Sequence, residues 1–243
     1  MDDSTLILSD LHLGSKTCNI DLLEEVFQRE KFDRLILNGD TINNVNFRKL
    51  TTRHWALLDK IREAGRSREL VLIRGNHDHE CDHLICQQTS SNKETSGNKG
   101  LTTGFLLPAV LDVPMVEEYR LQVKGQTYLV LHGDRFDPTL NYRMVTEAAF
   151  LAYQFTTKLS HKLAKWLKKK SKRWGGILEL VRSQSVAYSR EQGYSGVITG
   201  HTHFAEDTRI DDVHYVNTGS WTETPCAYVT ADSRGLMLHH VSD

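Results

Sequence analysis

The chain has 243 residues, of which 39% are apolar and 25% are charged, and its 30 basic and 31 acidic residues give a formal net charge of −1. This composition leaves room for one sizeable core and excludes bulk electrostatic attraction to nucleic acid. No apolar run approaches the roughly 20 residues of a membrane span, so any membrane contact is expected to be peripheral.

The first third of the chain alternates strand-like and helix-like segments. Apolar runs predict strands at 5–10, 34–40 and 69–76, and the segments between them predict helices at 20–30 and 49–64. This βαβαβ order indicates parallel pairing of the strands.

Later segments change character. Residues 89–100 are small and polar and predict a mobile loop. Runs on either side of Gly125-Gln126 predict a β-hairpin at 119–131, and similar pairs of runs predict hairpins at 208–217 and 227–239. A mixture of parallel βαβ units and antiparallel hairpins favours an α/β fold with two packed mixed β-sheets flanked by helices.

The segment 139–192 has no strand signal and an apolar stripe at helical spacing, so it is predicted to be a helical cap inserted into a core of residues 1–138 and 193–243. Within it, residues 158–173 carry eight basic residues and no acidic one. This basic segment could hold a polyanionic substrate, lie on an anionic membrane or bind nucleic acid, against the alternative of a solvated helix face. Lipid headgroup contact is favoured over nucleic acid, because few aromatic residues are interleaved with the charges.

Five short motifs place Asp, His and Asn directly after strand-like runs. Because ligands of such sheets bind beyond the carboxyl ends of the strands, these side chains are expected to converge on one rim. The alternative for each motif alone is a turn, since Gly, Asn and Asp are common turn residues. The motifs are Ser9-Asp10-Leu11-His12, Asn38-Gly39-Asp40, Gly75-Asn76-His77-Asp78, His132-Gly133-Asp134 and Gly200-His201-Thr202-His203.

The donors in these motifs are imidazole, carboxylate and amide oxygen, with no thiolate. Such donors suit Mn, Fe, Zn or Co better than a soft-metal centre, and a single bridging Asp would make the site dinuclear. Cys81 and Cys86 lie beside His79 and His83, but their spacing is not that of a structural zinc site. With Cys18 and Cys226 they form no disulfide-framework pattern, and no N-terminal signal pattern is seen, so a reducing cytoplasmic location is expected.

The order of the motifs resembles that of the calcineurin-like metallophosphoesterase superfamily over residues 5–203. The resemblance implies a four-layer αββα fold and two divalent ions, with manganese the first choice. It implies that one ion is held by Asp10, His12, Asp40 and His203. It implies that the other is held by Asp40, Asn76, His132 and His201, which makes Asp40 the bridge.

The residues after Asn76 carry the remaining chemistry. His77 resembles the histidine that family members use to stabilise developing charge or to protonate the leaving oxygen. Asp78 is expected to accept a histidine ring N–H and so to fix a tautomer, which would support catalysis. Asp134 has the same interpretation, with a simple turn as its alternative.

A narrower resemblance concerns the cap and residues 217–223, which are similar to the UDP-2,3-diacylglucosamine diphosphatase branch. It implies hydrolysis of a lipid pyrophosphate in lipid A biosynthesis, releasing UMP and a lipid phosphate, with the cap as a lid and a peripheral position on the inner face of the membrane. Known members carry Arg where this chain has His77, and they differ around Trp221. A lid-bearing relative that acts on another phosphodiester, a phosphomonoester or nucleic acid therefore stays open.

Four further residues are candidates for contacts with the phosphate or headgroup, although each has a structural alternative. Arg48 is also an ordinary helix-start residue, and Trp221 is also a core aromatic. A non-catalytic scaffold of the same fold is the remaining class, and the presence of every ligand type argues against it. The four candidates are Asn44, Arg48, Arg135 and Trp221.

Overall fold

Eleven strands form two sheets in the computed structural model, which describes residues 4–43, 47–79, 106–141 and 172–242. In the first sheet the order is β11-β10-β1-β2-β3-β4, and β1 to β4 run parallel. The strands β10 and β11 join its edge antiparallel. The bounds are β1 Thr5–Leu8, β2 Arg34–Asn38, β3 Glu69–Ile73, β4 Met115–Val116, β10 Cys226–Asp232 and β11 Gly235–Val241.

The second sheet has the order β5-β6-β7-β9-β8. Its central strands β6, β7 and β9 are parallel, and β5 and β8 are antiparallel edges joined by hairpins. Both sheets are therefore mixed, as the sequence predicts. The bounds are β5 Glu118–Val123, β6 Gln126–Leu131, β7 Gly196–Thr199, β8 Glu206–Ile210 and β9 Val213–Asn217.

Helices connect the strands. The side chain of Asn19 accepts the Leu22 N–H at the start of α1, and Thr51 and His54 form a reciprocal cap at the start of α2. The described helices are α1 Ile20–Arg29, α2 Thr52–Gly65, α3 Asn76–His79, α4 Leu106–Leu111 and α5 Lys172–Glu191. Single 3₁₀ turns lie at Phe47–Lys49, Asp134–Phe136 and Pro138–Asn141.

Alternation along the buried strands builds the layers. In β1, Ile7 packs between the two sheets with Val130 and Ile198 of the second sheet. Its neighbours Leu6 and Leu8 point to the opposite face and pack with residues of α1, α2 and α4. The outer face of the second sheet is buried with Val186 of α5. The order is helix, sheet, sheet, helix, which confirms the predicted fold.

The predicted strands and hairpins are confirmed, with corrections at their ends. The first three strands end at Leu8, Asn38 and Ile73, because the residues after them turn away into the motif loops. The first hairpin turns at Lys124-Gly125 rather than at Gly125-Gln126. Both turn residues have positive φ, 53° and 74°, which is the backbone of a two-residue type I′ turn.

The predicted cap lies partly within the described residues. Helix α5 covers its C-terminal part and buries Val181 and Val186, and the latter packs on the second sheet. The predicted loop 89–100, Cys81, Cys86 and residues 158–171 of the basic segment lie outside the described residues, so the division into core and cap stays a prediction. Within the described ranges, no helix combines the length and the apolar character of a membrane span.

Trp221 belongs to the core. Its side chain is 0% exposed and its ring stacks on Tyr228 with centroids 6.4 Å apart. The core alternative therefore replaces the substrate contact considered from sequence, because a fully buried ring is closed to a substrate. We expect Trp221→Ala to lower the free energy of unfolding by about 3–5 kcal/mol in urea denaturation. Truncation of the exposed Met237 should change it by less than about 0.5 kcal/mol, and equal losses would contradict this assignment.

Candidate metal centre

The five motifs meet at the carboxyl ends of β1, β2, β3, β6 and β7. Five of their residues have φ between 45° and 66°. This left-handed backbone is uncommon outside glycine and persists only where the surroundings hold it. Here the Asp10 N–H donates to Gly39 O at 3.1 Å and the His12 N–H to Asp40 O at 2.9 Å, which ties the first two loops together. The five residues are Asp10, His12, Asp40, His201 and His203.

Three of the motifs contain a glycine at a position where the neighbouring loop leaves no room for a Cβ. A Cβ on Gly39 would lie 2.3 Å from His132 Nδ1, and one on Gly75 would lie 2.3 Å from both the backbone nitrogen and Oδ1 of Asp40. A Cβ on Gly200 would lie 2.5 Å from Asp10 Oδ2. These glycines therefore do more than form turns, because each lets its loop approach a predicted ligand of another loop: His132 at Gly39, Asp40 at Gly75 and Asp10 at Gly200.

Substitution at Gly75 should disturb the centre more than the helix substitution Gly176→Ala. We expect Gly75→Ala to lower the free energy of unfolding by about 1–3 kcal/mol, because the added Cβ overlaps Asp40. The same overlap should weaken metal binding. Gly176 in α5 has nothing within 4 Å of an added Cβ. Gly176→Ala should therefore leave the free energy of unfolding unchanged or raise it by roughly 0.5–1 kcal/mol. Urea denaturation and Mn²⁺ titration test both. A Gly75→Ala protein with unchanged stability and metal affinity would contradict this packing argument.

One group of donors contains the residues predicted for the first ion. His203 Nε2 lies 3.1 Å from Asp10 Oδ1 and 3.1 Å from His12 Nε2. His12 Nε2 lies 3.7 Å from Asp40 Oδ2. Neighbouring ligands on one divalent ion, with bonds of about 2.1 Å, lie about 3 Å apart. The side chains are therefore spaced as ligands of a common ion would be.

A second group surrounds the other side of Asp40. His132 Nε2 lies 3.5 Å from Asp40 Oδ2, and its Nδ1–H donates to the Asn38 carbonyl at 2.8 Å, which turns Nε2 inward. His201 Nδ1 lies 3.0 Å from Asn76 Oδ1. The His132 and His201 rings are in edge contact, with centroids 5.4 Å apart. The four residues predicted for the second ion are thus also neighbours.

Burial and neighbouring charges shift the pKa values of several donors. Burial would lower the pKa of His132, but the charges of Asp40 and Asp10 raise it well above its usual range. Burial alone would raise the pKa of Asp10, but His203 and His132 lower it to about 2, and His132 and His77 hold the pKa of Asp40 well below its usual range. Burial lowers the pKa of His12 to about 3. His12 Nδ1 and His132 Nε2 are buried without a hydrogen-bond partner among the described residues. Anionic carboxylate oxygens beside buried ring nitrogens form a donor set that fits a divalent ion.

His77 lies at the edge of the centre. Its ring Nδ1–H donates to the Asn43 carbonyl at 2.9 Å, which leaves Nε2 3.9 Å from Asp40 Oδ2. The ring meets His12 edge to face with centroids 4.8 Å apart, and the side chain is 31% exposed. His77 is therefore a partly exposed imidazole beside the acidic cluster.

Asp78 differs from the prediction. Its carboxylate accepts the backbone N–H groups of Asp40 at 2.8 Å and Gly75 at 3.0 Å, rather than a histidine ring N–H. Burial and the charge of Asp40 raise its pKa to about 7. Asp78 therefore positions the Asp40 loop. Asp134 begins a 3₁₀ turn and its carbonyl accepts the Asp137 N–H, as its turn alternative predicts.

The structure does not place any described side chain of the predicted substrate contacts among the predicted metal ligands. Arg135 is paired with Glu118 Oε2 at 3.3 Å, and its guanidinium lies 5.5 Å from the centroid of the Tyr188 ring. This pairing gives Arg135 a structural role on the second sheet. Asn44 and the side chain of Arg48 lie outside the described residues, so their proposed contacts stay predictions.

One residue of the centre was missed from the sequence. Asp137 Oδ2 lies 2.9 Å from His201 Nε2, and both side chains are almost fully buried. The signal available was an acidic residue shortly after His132-Gly133-Asp134, followed by Pro138. Such a residue is hard to separate from an ordinary turn former by sequence alone.

Carboxylates, imidazoles and an amide at one rim of a four-layer αββα fold are suited to metal-dependent hydrolysis. The chain belongs to the calcineurin-like phosphoesterase family, whose model matches residues 4–205. This family is hydrolytic and metal-dependent, and it usually binds two divalent ions. A comparison with curated proteins gives no match.

Solved structures of low sequence identity are also similar. A phosphoesterase from E. coli is 14% identical, with a TM-score of 0.49 over 96% of this chain and 90% of that chain. An archaeal phosphodiesterase is 15% identical, with a TM-score of 0.48 over 98% and 99% of the two chains. Vacuolar Protein Sorting 29 from Cryptosporidium parvum is 12% identical, with a TM-score of 0.48 over 99% and 98%. Likenesses this distant carry no information on the substrate of this chain.

Proposed function

We propose that this protein is a dinuclear metal phosphoesterase in which Asp40 bridges the two ions. The observation that carries the proposal is the position of Asp40 Oδ2, 3.7 Å from His12 Nε2 and 3.5 Å from His132 Nε2. These two imidazoles belong to different predicted ligand sets. An anionic oxygen between two groups of donors is suited to a shared ligand.

The two ligand sets follow from this position of Asp40. Asp10, His12, Asp40 and His203 would hold one ion, and Asp40, Asn76, His132 and His201 would hold the other. Bound divalent ions supply charge neutralisation and an activated nucleophile for in-line displacement at phosphorus. The mixture of carboxylate, imidazole and amide oxygen supports manganese, with Fe, Zn and Co as alternatives.

His77 has the role of an electrophile or general acid. Its Nδ1–H is held by the Asn43 carbonyl at 2.9 Å, so that Nε2 is directed to the rim. A protonated Nε2 there donates a hydrogen bond to the phosphoryl oxygens or a proton to the leaving oxygen. The partial exposure of the ring supports contact with a substrate rather than a purely structural role.

The finer proposal is a lipid-linked diphosphate substrate of the UDP-2,3-diacylglucosamine type. It is supported by the resemblance of the insert and by the basic segment 158–173, which suits an anionic headgroup or membrane surface.

The experiment compares substrates on metal-stripped protein that is reloaded with Mn²⁺. The substrates are UDP-2,3-diacylglucosamine, bis(p-nitrophenyl) phosphate, p-nitrophenyl phosphate and single-stranded DNA. Release of UMP and lipid phosphate supports the finer proposal. Hydrolysis of only another ester supports the phosphoesterase and overturns the lipid substrate. Rates of hydrolysis that do not depend on Mn²⁺ would overturn the metal phosphoesterase. Hydrolysis of none of the four substrates would overturn it in favour of a non-catalytic scaffold.

A further inference from the structure

We propose that Asp137 is a positioning residue that fixes the tautomer of His201 and so presents Nδ1, rather than Nε2, to a metal ion. This inference rests on the proposed function, because it assigns the ligand atom of one of the residues that would hold the second ion. It adds to the centre a carboxylate that lies outside the five sequence motifs.

The two nitrogens of His201 face different partners. Nε2 lies 2.9 Å from Asp137 Oδ2, and Nδ1 lies 3.0 Å from Asn76 Oδ1. A carboxylate only accepts hydrogen bonds, so a proton on Nε2 is stabilised by Asp137. The neutral ring then has its lone pair on Nδ1, beside the amide oxygen of Asn76. These two lone pairs lie at the separation expected for neighbouring ligands of one divalent ion.

Asp137 is itself held in place. Its other oxygen, Oδ1, accepts the Thr139 N–H at 2.8 Å and the Thr139 hydroxyl at 2.6 Å. The Asp137 N–H donates to Asp134 O at 2.9 Å, which closes the preceding 3₁₀ turn. The side chains of Asp137 and His201 are 7% and 10% exposed. One carboxylate oxygen is thus anchored to its own loop, which leaves the other to orient the imidazole.

The neighbouring imidazoles are also oriented by an acceptor of the protein, but they donate from Nδ1 rather than Nε2, and to a weaker partner. His132 Nδ1 donates to the Asn38 carbonyl and His77 Nδ1 donates to the Asn43 carbonyl. His201 differs because its partner is a carboxylate, which accepts a stronger hydrogen bond and raises the basicity of the opposite nitrogen. Partners of this kind typically contribute about 10–100-fold to metal affinity.

Asp137→Asn separates orientation of His201 from anchoring of the loop. The amide oxygen can keep both hydrogen bonds from Thr139, which places the NH₂ group opposite His201 Nε2. That NH₂ favours a lone pair on Nε2 and a proton on Nδ1, which is the opposite tautomer. A merely structural role for Asp137 predicts little effect of this substitution, whereas the orienting role predicts weaker metal binding in a folded protein.

Asp33→Asn is the matched control. The carboxylate of Asp33 also accepts a backbone N–H and a hydroxyl from one residue, Ser4, at 3.0 and 2.8 Å. It precedes β2, at the opposite end of that strand from Asp40. The control therefore removes the same charge and keeps the same kind of anchor, away from the metal centre.

The test is Mn²⁺ titration of the metal-free proteins by calorimetry, with ¹⁵N spectra of the histidine rings to assign the tautomer of His201. We expect the wild-type protein and Asp33→Asn to bind two ions and Asp137→Asn to lose about 10–100-fold in affinity for one of them. We expect the Nε2–H tautomer in the wild type and its loss in Asp137→Asn. Thermal unfolding checks that the variants fold.

Two results would overturn this inference but not the proposed function, and a third would overturn both. If Asp137→Asn kept its metal affinity, or if the wild type had the Nδ1–H tautomer, Asp137 would not set the ligand atom. The proposed function would still stand if the wild type bound two ions. Failure of the wild type to bind any ion would overturn the proposed function and this inference together.

Discussion

Asp40→Ala is expected to abolish binding of both metal ions and to reduce phosphoester hydrolysis to the uncatalysed background. The reason is that one carboxylate serves two ligand sets, since its Oδ2 lies between His12 Nε2 and His132 Nε2 at 3.7 and 3.5 Å. Its removal takes a negative ligand from each ion at once. Inductively coupled plasma mass spectrometry of the purified variant measures the metal content, and bis(p-nitrophenyl) phosphate measures the activity.

Two comparisons make the Asp40 result interpretable. The exposed Asp59 in α2 is paired only with Arg62 at 2.8 Å among its described contacts, so Asp59→Asn should keep both ions and full activity. Asp10→Ala should weaken mainly one ion, because Asp10 belongs to a single predicted set. If Asp40→Ala retained one tightly bound ion, Asp40 would serve only one site and the bridge would be wrong.

His77→Ala is expected to lower turnover by about 10²–10⁴-fold while both metal ions stay bound. His77 is held by the Asn43 carbonyl and lies at the rim, outside both predicted ligand sets. Its loss should therefore remove charge stabilisation or proton donation and leave the ligands in place. Steady-state kinetics and metal analysis of the same preparation measure the two effects separately.

The control for His77 is an imidazole remote from the centre. His240 is exposed on the edge strand β11, so His240→Ala should leave turnover and metal content unchanged. His77→Asn tests whether a smaller hydrogen-bond donor restores part of the activity. Loss of metal from His77→Ala equal to that from Asp40→Ala would instead make His77 a ligand, in agreement with its 3.9 Å approach to Asp40 Oδ2.

Much of the fold and the arrangement of the candidate centre could be predicted because both depend on local sequence patterns. Buried parallel strands are almost continuously apolar, so β1, β2, β3, β6 and β7 are recognisable, and polar residues directly after them must lie at one edge. The turn residues mark the hairpins, although the sequence pattern places the first turn one residue after its observed position at Lys124-Gly125. The charges and ring nitrogens of the motifs then indicate the chemistry.

The parts that could not be predicted depend on contacts between loops. The sequence pattern predicts that Asp78 accepts a histidine ring N–H. It instead accepts the backbone N–H groups of Asp40 and Gly75, which only the approach of two loops reveals. Asp137 carries no motif and becomes visible only through its contact with His201. The hairpin of the second sheet places Glu118 beside Arg135, and the two side chains pair. In each case, a polar side chain has several chemically equivalent partners, and tertiary packing selects one.

The most direct test of the dinuclear centre is anomalous diffraction from crystals of the protein grown with Mn²⁺. We predict two manganese peaks about 3.5–4 Å apart, with Asp40 bound to both, as in two-metal sites that catalyse displacement at phosphorus. The remaining ligands should divide into Asp10, His12 and His203 on one ion and Asn76, His132 and His201 on the other. A single peak, or two peaks of which only one contacts Asp40, would contradict the dinuclear account.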